Sequence, residues 1–156
     1  VGSAGGRQPE IPIGSTVVLT AAYRGEGTSF AYLPLRFPAV ADFDVTAALI
    51  GVARHSGQPF WHGVGYTRDA YYARDQTLDE LLREAGVVVA EQEAATLFVV
   101  AALLGVKVGA VVATDSNIWL PEQPPDEQKK EHLFREGERR TIRIALDAVV
   151  RLNSQS

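Results

Sequence analysis

The spacing of hydrophobic positions changes several times along the chain, and each change predicts an element. Residues 16–23 (T-V-V-L-T-A-A-Y) are β-branched and aromatic and predict a strand. Residues 42–54 place Phe43, Val45, Leu49 and Val52 at near-helical spacing and predict a helix. Residues 60–67 predict a second strand, and residues 78–84 a short helix closed by Gly86. Residues 87–90 supply a short buried strand, followed over 94–104 by a helix that is apolar all round and closed by Gly105. The continuous apolar run over 108–114 is the pattern of a strand covered on both faces. A last helix over 131–152 carries Phe134, Ile142, Ala145, Leu146, Val149 and Leu152 on one stripe, with Arg139, Arg140, Arg143 and Arg151 largely off it and solvated. Residues 25–37 read as a loop, because Pro34 and Pro38 exclude a regular element, and residues 120–128 as a Pro- and acid-rich loop. The opening V-G-S-A-G-G reads as a Gly-rich turn. Strands alternating with helices predict an α/β domain with a largely parallel or mixed sheet.

Composition narrows the possible functions. At 156 residues the chain suits one domain, and 46% hydrophobic with 22% charged residues describes a globular protein. A net charge of -4 argues against nucleic acid as a partner, since a phosphate-binding surface needs a basic excess. The longest apolar run, 97–106, is about half a membrane span and ends at Lys107, so no membrane partner is expected. The start lacks the charged-then-apolar pattern of a secretory signal, and a cytoplasmic location fits. Without cysteine there are no disulfides, thiolate metal sites or cysteine nucleophiles. Methionine is absent even at position 1: either an initiator was removed or the chain begins inside a longer one. His55, His62 and His132 form no metal-ligand spacing, so no metal is expected, and no P-loop, dinucleotide fingerprint or hydrolase elbow is present.

Candidate chemistry concentrates in Glu91-Gln92-Glu93-Ala94-Ala95-Thr96, where two carboxylates and an amide stand at the entrance of an apolar helix. A carboxylate such as Glu93 accepts hydrogen bonds from two neighbouring hydroxyls at once, which suits the ribose 2′ and 3′ positions. Alternatively, Glu91 and Glu93 only favour the helix N-terminus through its dipole. Asp115 follows the run over 108–114, where ligand-handling residues of α/β sheets gather; it is either a general acid toward a heterocycle nitrogen or a turn-forming or capping residue. Tyr71 and Tyr72 offer a stacking ring for a base, or are one core ring and one exposed ring. The Gly2-Ser3-Ala4-Gly5-Gly6 turn is suited to cradling an anion with backbone N–H groups and the Ser3 hydroxyl, or is a flexible end.

Taken in order, these segments resemble the nucleoside phosphorylase superfamily, and uridine phosphorylases in particular. V-G-S-A-G-G-R-Q-P over 1–9 resembles that family's phosphate-side glycine turn. The most specific match is G-E-G-T-S over 25–29 with Y-L-P-L-R-F-P-A-V-A-D over 32–42, and Asp69 to Tyr72 resembles the base-stacking stretch. Glu91 to Thr96 is similar to the E-M-E-A-A ribose signature, with Gln92 in place of Met. The resemblance implies a mixed central sheet flanked by helices and reversible phosphorolysis of a uridine or purine nucleoside without metal or organic cofactor. Ser3 and Gly5 would then lie on the phosphate side, Glu93 would hold the ribose diol and Gln92 the sugar beside Glu91. Tyr71 would pack on base or sugar, and Asp115 would stand where purine-specific relatives carry their acid. A nucleosidase using water and a non-catalytic nucleoside-binding or assembly subunit are the alternatives. The uracil-reading Gln-x-Arg pair is missing; Arg74 and Gln76 offer its groups in reversed order. The resemblance further implies that residues 1–156 are the C-terminal portion of a single domain, lacking an N-terminal part of roughly a hundred residues. The expected partners are nucleoside, phosphate, and either further copies in a dimer-based oligomer such as a hexamer or a chain supplying the N-terminal half.

Overall fold

A computed structural model describes residues 1–120 and 126–154. Six strands, β1 (Gly2–Gly6), β2 (Thr16–Gly25), β3 (Ala39–Val40), β4 (Phe60–Arg68), β5 (Val89–Glu91) and β6 (Ala110–Asn117), form one mixed sheet in the order β3-β2-β4-β5-β1-β6. A further β2–β6 pairing closes β2, β4, β5, β1 and β6 into a ring, leaving β3 at its side. Strands β2, β4 and β5 run parallel to one another, while β1 is antiparallel to β5 and β6 is antiparallel to β2. The helices are α1 (Phe43–His55), α2 (Gln76–Glu84), α3 (Ala94–Leu104) and α4 (Glu127–Asn153).

Both faces of the sheet are buried, and alternation along the strands divides the core in two. Val17 and Leu19 of β2 join Ala110 and Val112 of β6 in a cluster with Phe98 and Val99 of α3. The intervening Val18 and Val111 face the other way, onto Leu49 and Ala53 of α1 and Ile144 and Ala148 of α4. Side-chain caps start three helices: Asp42 accepts from Val45 N, Asp75 from Leu78 N and Asp126 from Gln128 N.

Several expectations are corrected. The Gly-rich opening is strand β1, with β5 on one side and β6 on the other, rather than a turn. Its lack of side chains permits close approach: a Cβ on Gly6 would stand 2.6 Å from Asn117 Nδ2. Asp115 does not follow a strand but lies within β6, at an irregularity in its pairing with β1. Tyr71 and Tyr72 are both exposed, packed edge-to-face on each other at 5.0 Å, so neither is a core ring. Helix α3 is covered on one side only, with Leu97, Leu103 and Leu104 exposed. The buried stripe of α4 is Gly137, Thr141, Ile144 and Ala148, whereas the expected Ile142, Leu146 and Val149 are exposed. Apart from Ile144, small residues fill that stripe, because α4 lies close on the sheet and on α1. The expected loop over 120–128 falls largely outside the described residues, and α4 begins before Glu131, at Glu127.

Candidate active site

The carboxyl ends of β2, β4 and β5 point one way, and the loops leaving them are tied together. Gln92 Nε2 donates to Asp69 O at 2.8 Å, fixing the end of β5 to the loop after β4. Asp69 Oδ2 accepts from Gly27 N at 2.9 Å, fixing that loop to the one after β2. Glu26, buried, accepts from Ser29 N at 2.8 Å. Burial raises the pKa of this carboxyl, but hydrogen bonds from Ser29, Thr96 and Thr28 outweigh burial and hold it below its ordinary value. Arg24, also buried, binds the same loop from within. Its guanidinium donates to Ser29 Oγ and to the carbonyls of Leu33, Pro34, Leu35 and Phe37, and lies over the Phe30 ring.

Glu91 and Glu93 have different surroundings. Glu91 is buried, and its Oε2 accepts from the backbone of Glu93 at 2.7 Å and of Ala94 at 2.6 Å. Its Oε1 accepts from the Thr67 hydroxyl, whose oxygen in turn accepts from Ala95 N. Both carboxylate oxygens are thereby engaged in closing the first turn of α3. Glu93 is exposed, and its side chain makes no hydrogen bond or ion pair with a described residue. Standing at the positive end of α3, it is a free acceptor of hydrogen bonds.

The remaining predicted residues lie around β1. Antiparallel pairing with Gly5 opposite Ala90 carries the start of β1, and exposed Ser3, toward the end of β5 where Glu93 stands. On the other edge Ser3 pairs with Ala113 and Gly5 with Ser116, which puts half-buried Asp115 on the same ladder. Asp115 Oδ1 accepts from Ser116 Oγ at 2.7 Å. Tyr71 lies in the loop held by Gln92, with the Arg68 guanidinium 5.6 Å from its ring centre. Arg74 and Gln76 point to partners of their own, Arg74 to Asp79 and Gln76 to Glu80. Among the described residues no group of three His, Cys, Asp or Glu side chains is placed to hold a metal ion, and no helix is long and apolar enough to cross a membrane.

The profile of the phosphorylase superfamily matches residues 1–151. This chain belongs to that superfamily. It is 31% identical over 153 residues to the guanosine phosphorylase of Halorubrum lacusprofundi, covering 97% of this chain and 64% of that protein. It is 32% identical over 166 residues to the uridine phosphorylase of Escherichia coli, again covering 97% of this chain and 64% of the relative. The crystal structure of uridine phosphorylase from Vibrio fischeri superposes with a TM-score of 0.87 at 26% identity, over 97% of this chain and 62% of that one. The superfamily member described here thus spans less than two thirds of these relatives.

Thr67, Asp69, Arg24 and Glu26 brace the site, although the sequence alone gives none of them a role of its own. Arg24 and Thr67 carried a detectable signal. Each falls two residues after a buried strand position, Ala22 and Gly65 respectively, where alternation predicts burial of a polar group needing partners.

Proposed function

We propose that this chain carries the nucleoside-binding side of a nucleoside phosphorylase site, as the C-terminal portion of a single nucleoside phosphorylase-like domain. One observation carries the reading: of the two carboxylates before α3, Glu91 is consumed in capping and Glu93 is left free at the strand ends. In this reading Glu93 accepts from the ribose 2′ and 3′ hydroxyls, and Gln92 and Glu91 fix its position. Phosphate, met by Ser3 and the backbone beside Gly5, attacks the anomeric carbon while the N-glycosidic bond breaks and its electron pair leaves with the base. Positive charge that develops on the sugar is stabilised by the carboxylate. Asp115 supplies a proton to the departing base where that base needs one, and Tyr71 packs on the bound nucleoside. The products are free base and ribose 1-phosphate; the reaction requires inorganic phosphate and no cofactor. The working form is a dimer-based oligomer, or a complex with a chain supplying the remaining third of the fold, in the cytoplasm.

The test is release of free base from uridine, inosine and adenosine with and without phosphate. Phosphate-dependent release that is lost in Glu93→Ala supports the reading. Release at full rate without phosphate would make the protein a nucleosidase, and turnover unaffected by Glu93→Ala would remove Glu93 from the site.

A further inference from the structure

Beside α1, which joins β3 to β4, runs a groove of about 680 Å³, and none of its lining residues is among those assigned above to nucleoside or phosphate. Its volume is that of an ordinary small-molecule site. One face of α1 supplies a wall whose character changes along the helix. Phe43, Ala47 and Ile50 follow at helical spacing, and this apolar stripe continues onto Val40 of β3 and Ala41. The same face then ends in Arg54, with His55 beside it, and His62 of β4 and Arg151 of α4 complete that cationic end. Phe43 is 83% exposed, so a large ring stands at the opposite end without cover. From Phe43 to Arg54 the helix rises about 16 Å.

The position of Arg151 is built into α1. A Cβ on Gly51 would stand 2.8 Å from Arg151 Nη1 and 3.4 Å from its Cζ, so the guanidinium crosses from α4 and lies on the backbone of α1. Glycine is disfavoured in a helix interior, and here it makes the seat for that group. Asp147, one turn earlier on α4, makes no ion pair with Arg151, and Arg54 has none among the described residues. His55 Nδ1 donates to Gly51 O at 2.6 Å, which leaves Nε2 for a ligand. Among the described residues no carboxylate lines the groove, although acidic residues outnumber basic ones 19 to 15 in the chain. The dipole of α1 accounts for cations at its own last turn, but it calls for neither His62 on β4 nor a guanidinium carried across from α4.

The two ends of the groove define what fits it. Guanidinium groups only donate, and with no carboxylate opposite them they attract an anion and repel a cation. The apolar stripe gains by covering hydrocarbon. We propose that the groove binds an amphipathic anion, with a hydrocarbon body of about ten carbons along Phe43, Ala47 and Ile50 and a carboxylate or phosphate monoester head at Arg54 and Arg151. Binding there does not depend on the phosphorylase reading.

Isothermal titration calorimetry of the wild-type chain with decanoate and decyl phosphate, below their micellar concentrations, tests this. Decyltrimethylammonium, acetate and inorganic phosphate are the controls. Saturable binding at one site per chain is expected, at least about tenfold tighter than for the ammonium of equal length or either head alone. Whichever anion binds tighter names the head, and either result upholds the site. Replacing both arginines, Arg54→Gln with Arg151→Gln, should weaken binding by about tenfold or more. Ala47→Glu, which puts a carboxylate on the apolar stripe, should abolish it. Gly51→Ala removes no charge but lifts the guanidinium off α1, and a loss of about threefold or more there distinguishes a seated arginine from general attraction. Circular dichroism checks that each variant is folded. No saturable binding, several equal sites per chain, equal binding of the ammonium, or unchanged affinity in the folded arginine or glycine variants would overturn the proposal.

Discussion

The hydroxyl of Thr67 donates to Glu91 Oε1 across 2.5 Å and accepts from Ala95 N at 2.9 Å, so β4, β5 and the first turn of α3 share one hydrogen-bonded knot. With Glu91 Oε2 taking the Glu93 and Ala94 amides, three N-terminal amide donors of α3 are satisfied by two side chains. Glu91→Ala deprives two of those amides and the Thr67 hydroxyl of their acceptor inside a buried site. A stability loss of about 2–3 kcal/mol is expected, read from the urea midpoint at unchanged slope.

Glu93→Ala should behave in the opposite way. Its side chain is exposed and bonded to nothing described, so stability should shift by no more than about 0.5 kcal/mol. If Glu93 holds the ribose, base release should fall by about a hundredfold or more in the same variant. Loss of activity accompanied by an equally large loss of stability would make Glu93 a structural residue instead.

How much of this was legible beforehand follows from where each signal resides. The span of α3 from Ala94 to Leu104 is legible in the sequence, because Gly105 ends a run that is apolar but for Thr96. The division between Glu91 and Glu93 was not legible: both carboxylates precede the same helix, and only the strand pairing of Glu91 with Thr67 turns one inward. β1 is not legible as a strand, because a sequence of Gly, Ser and Ala has no β-branched residues to announce one. Its extended form comes from the neighbouring β5 and β6, which supply the hydrogen bonds. The stripe on α4 was misplaced for a related reason: bulk marks a core face only where the neighbouring layer leaves room for it.

Arg24 makes the loop over 28–37 a rigid part of the site. Four backbone carbonyls converge on its guanidinium, from Leu33 to Phe37. Arg24→Met removes their common donor while keeping a side chain of similar length. The variant should lose at least about 2 kcal/mol, and limited proteolysis should cut within 28–37 sooner than elsewhere. An unchanged cleavage pattern would show that the loop holds itself.

Acid sensitivity should trace partly to Glu26. Its folded pKa lies below the ordinary 4.5, because hydrogen bonds from Ser29, Thr96 and Thr28 exceed the opposing effect of burial. A carboxyl lowered in this way contributes stability that is fully present above about 4.5 and is lost as pH falls through the folded value. Melting temperature measured from pH 6 down to about pH 3 should therefore drop more steeply for the wild type than for Glu26→Gln. Parallel curves would mean that other carboxylates carry the acid transition.

Gly137 sets propensity against packing. It lies in the middle of α4, where alanine is ordinarily the better helix former by about 1 kcal/mol. Here, however, a Cβ would stand 2.5 Å from the Gly14 carbonyl oxygen and 2.8 Å from its Cα. Both obstacles are backbone, so neither can rotate away. Gly14 cannot easily retreat either: its φ is +81°, its N–H donates to Thr114 O at 2.8 Å, and a Cβ of its own would meet Leu133 O at 2.5 Å. Helix and loop therefore touch main chain to main chain, which is what lets Thr141 and Ile144 reach the sheet. Gly137→Ala should lower stability by about 2 kcal/mol or more despite its helix propensity, since overpacking outweighs the intrinsic gain. A higher melting temperature in that variant would show that α4 can move away from the 12–15 loop at little cost, and that its seat on β2 and β6 is looser than the contact implies.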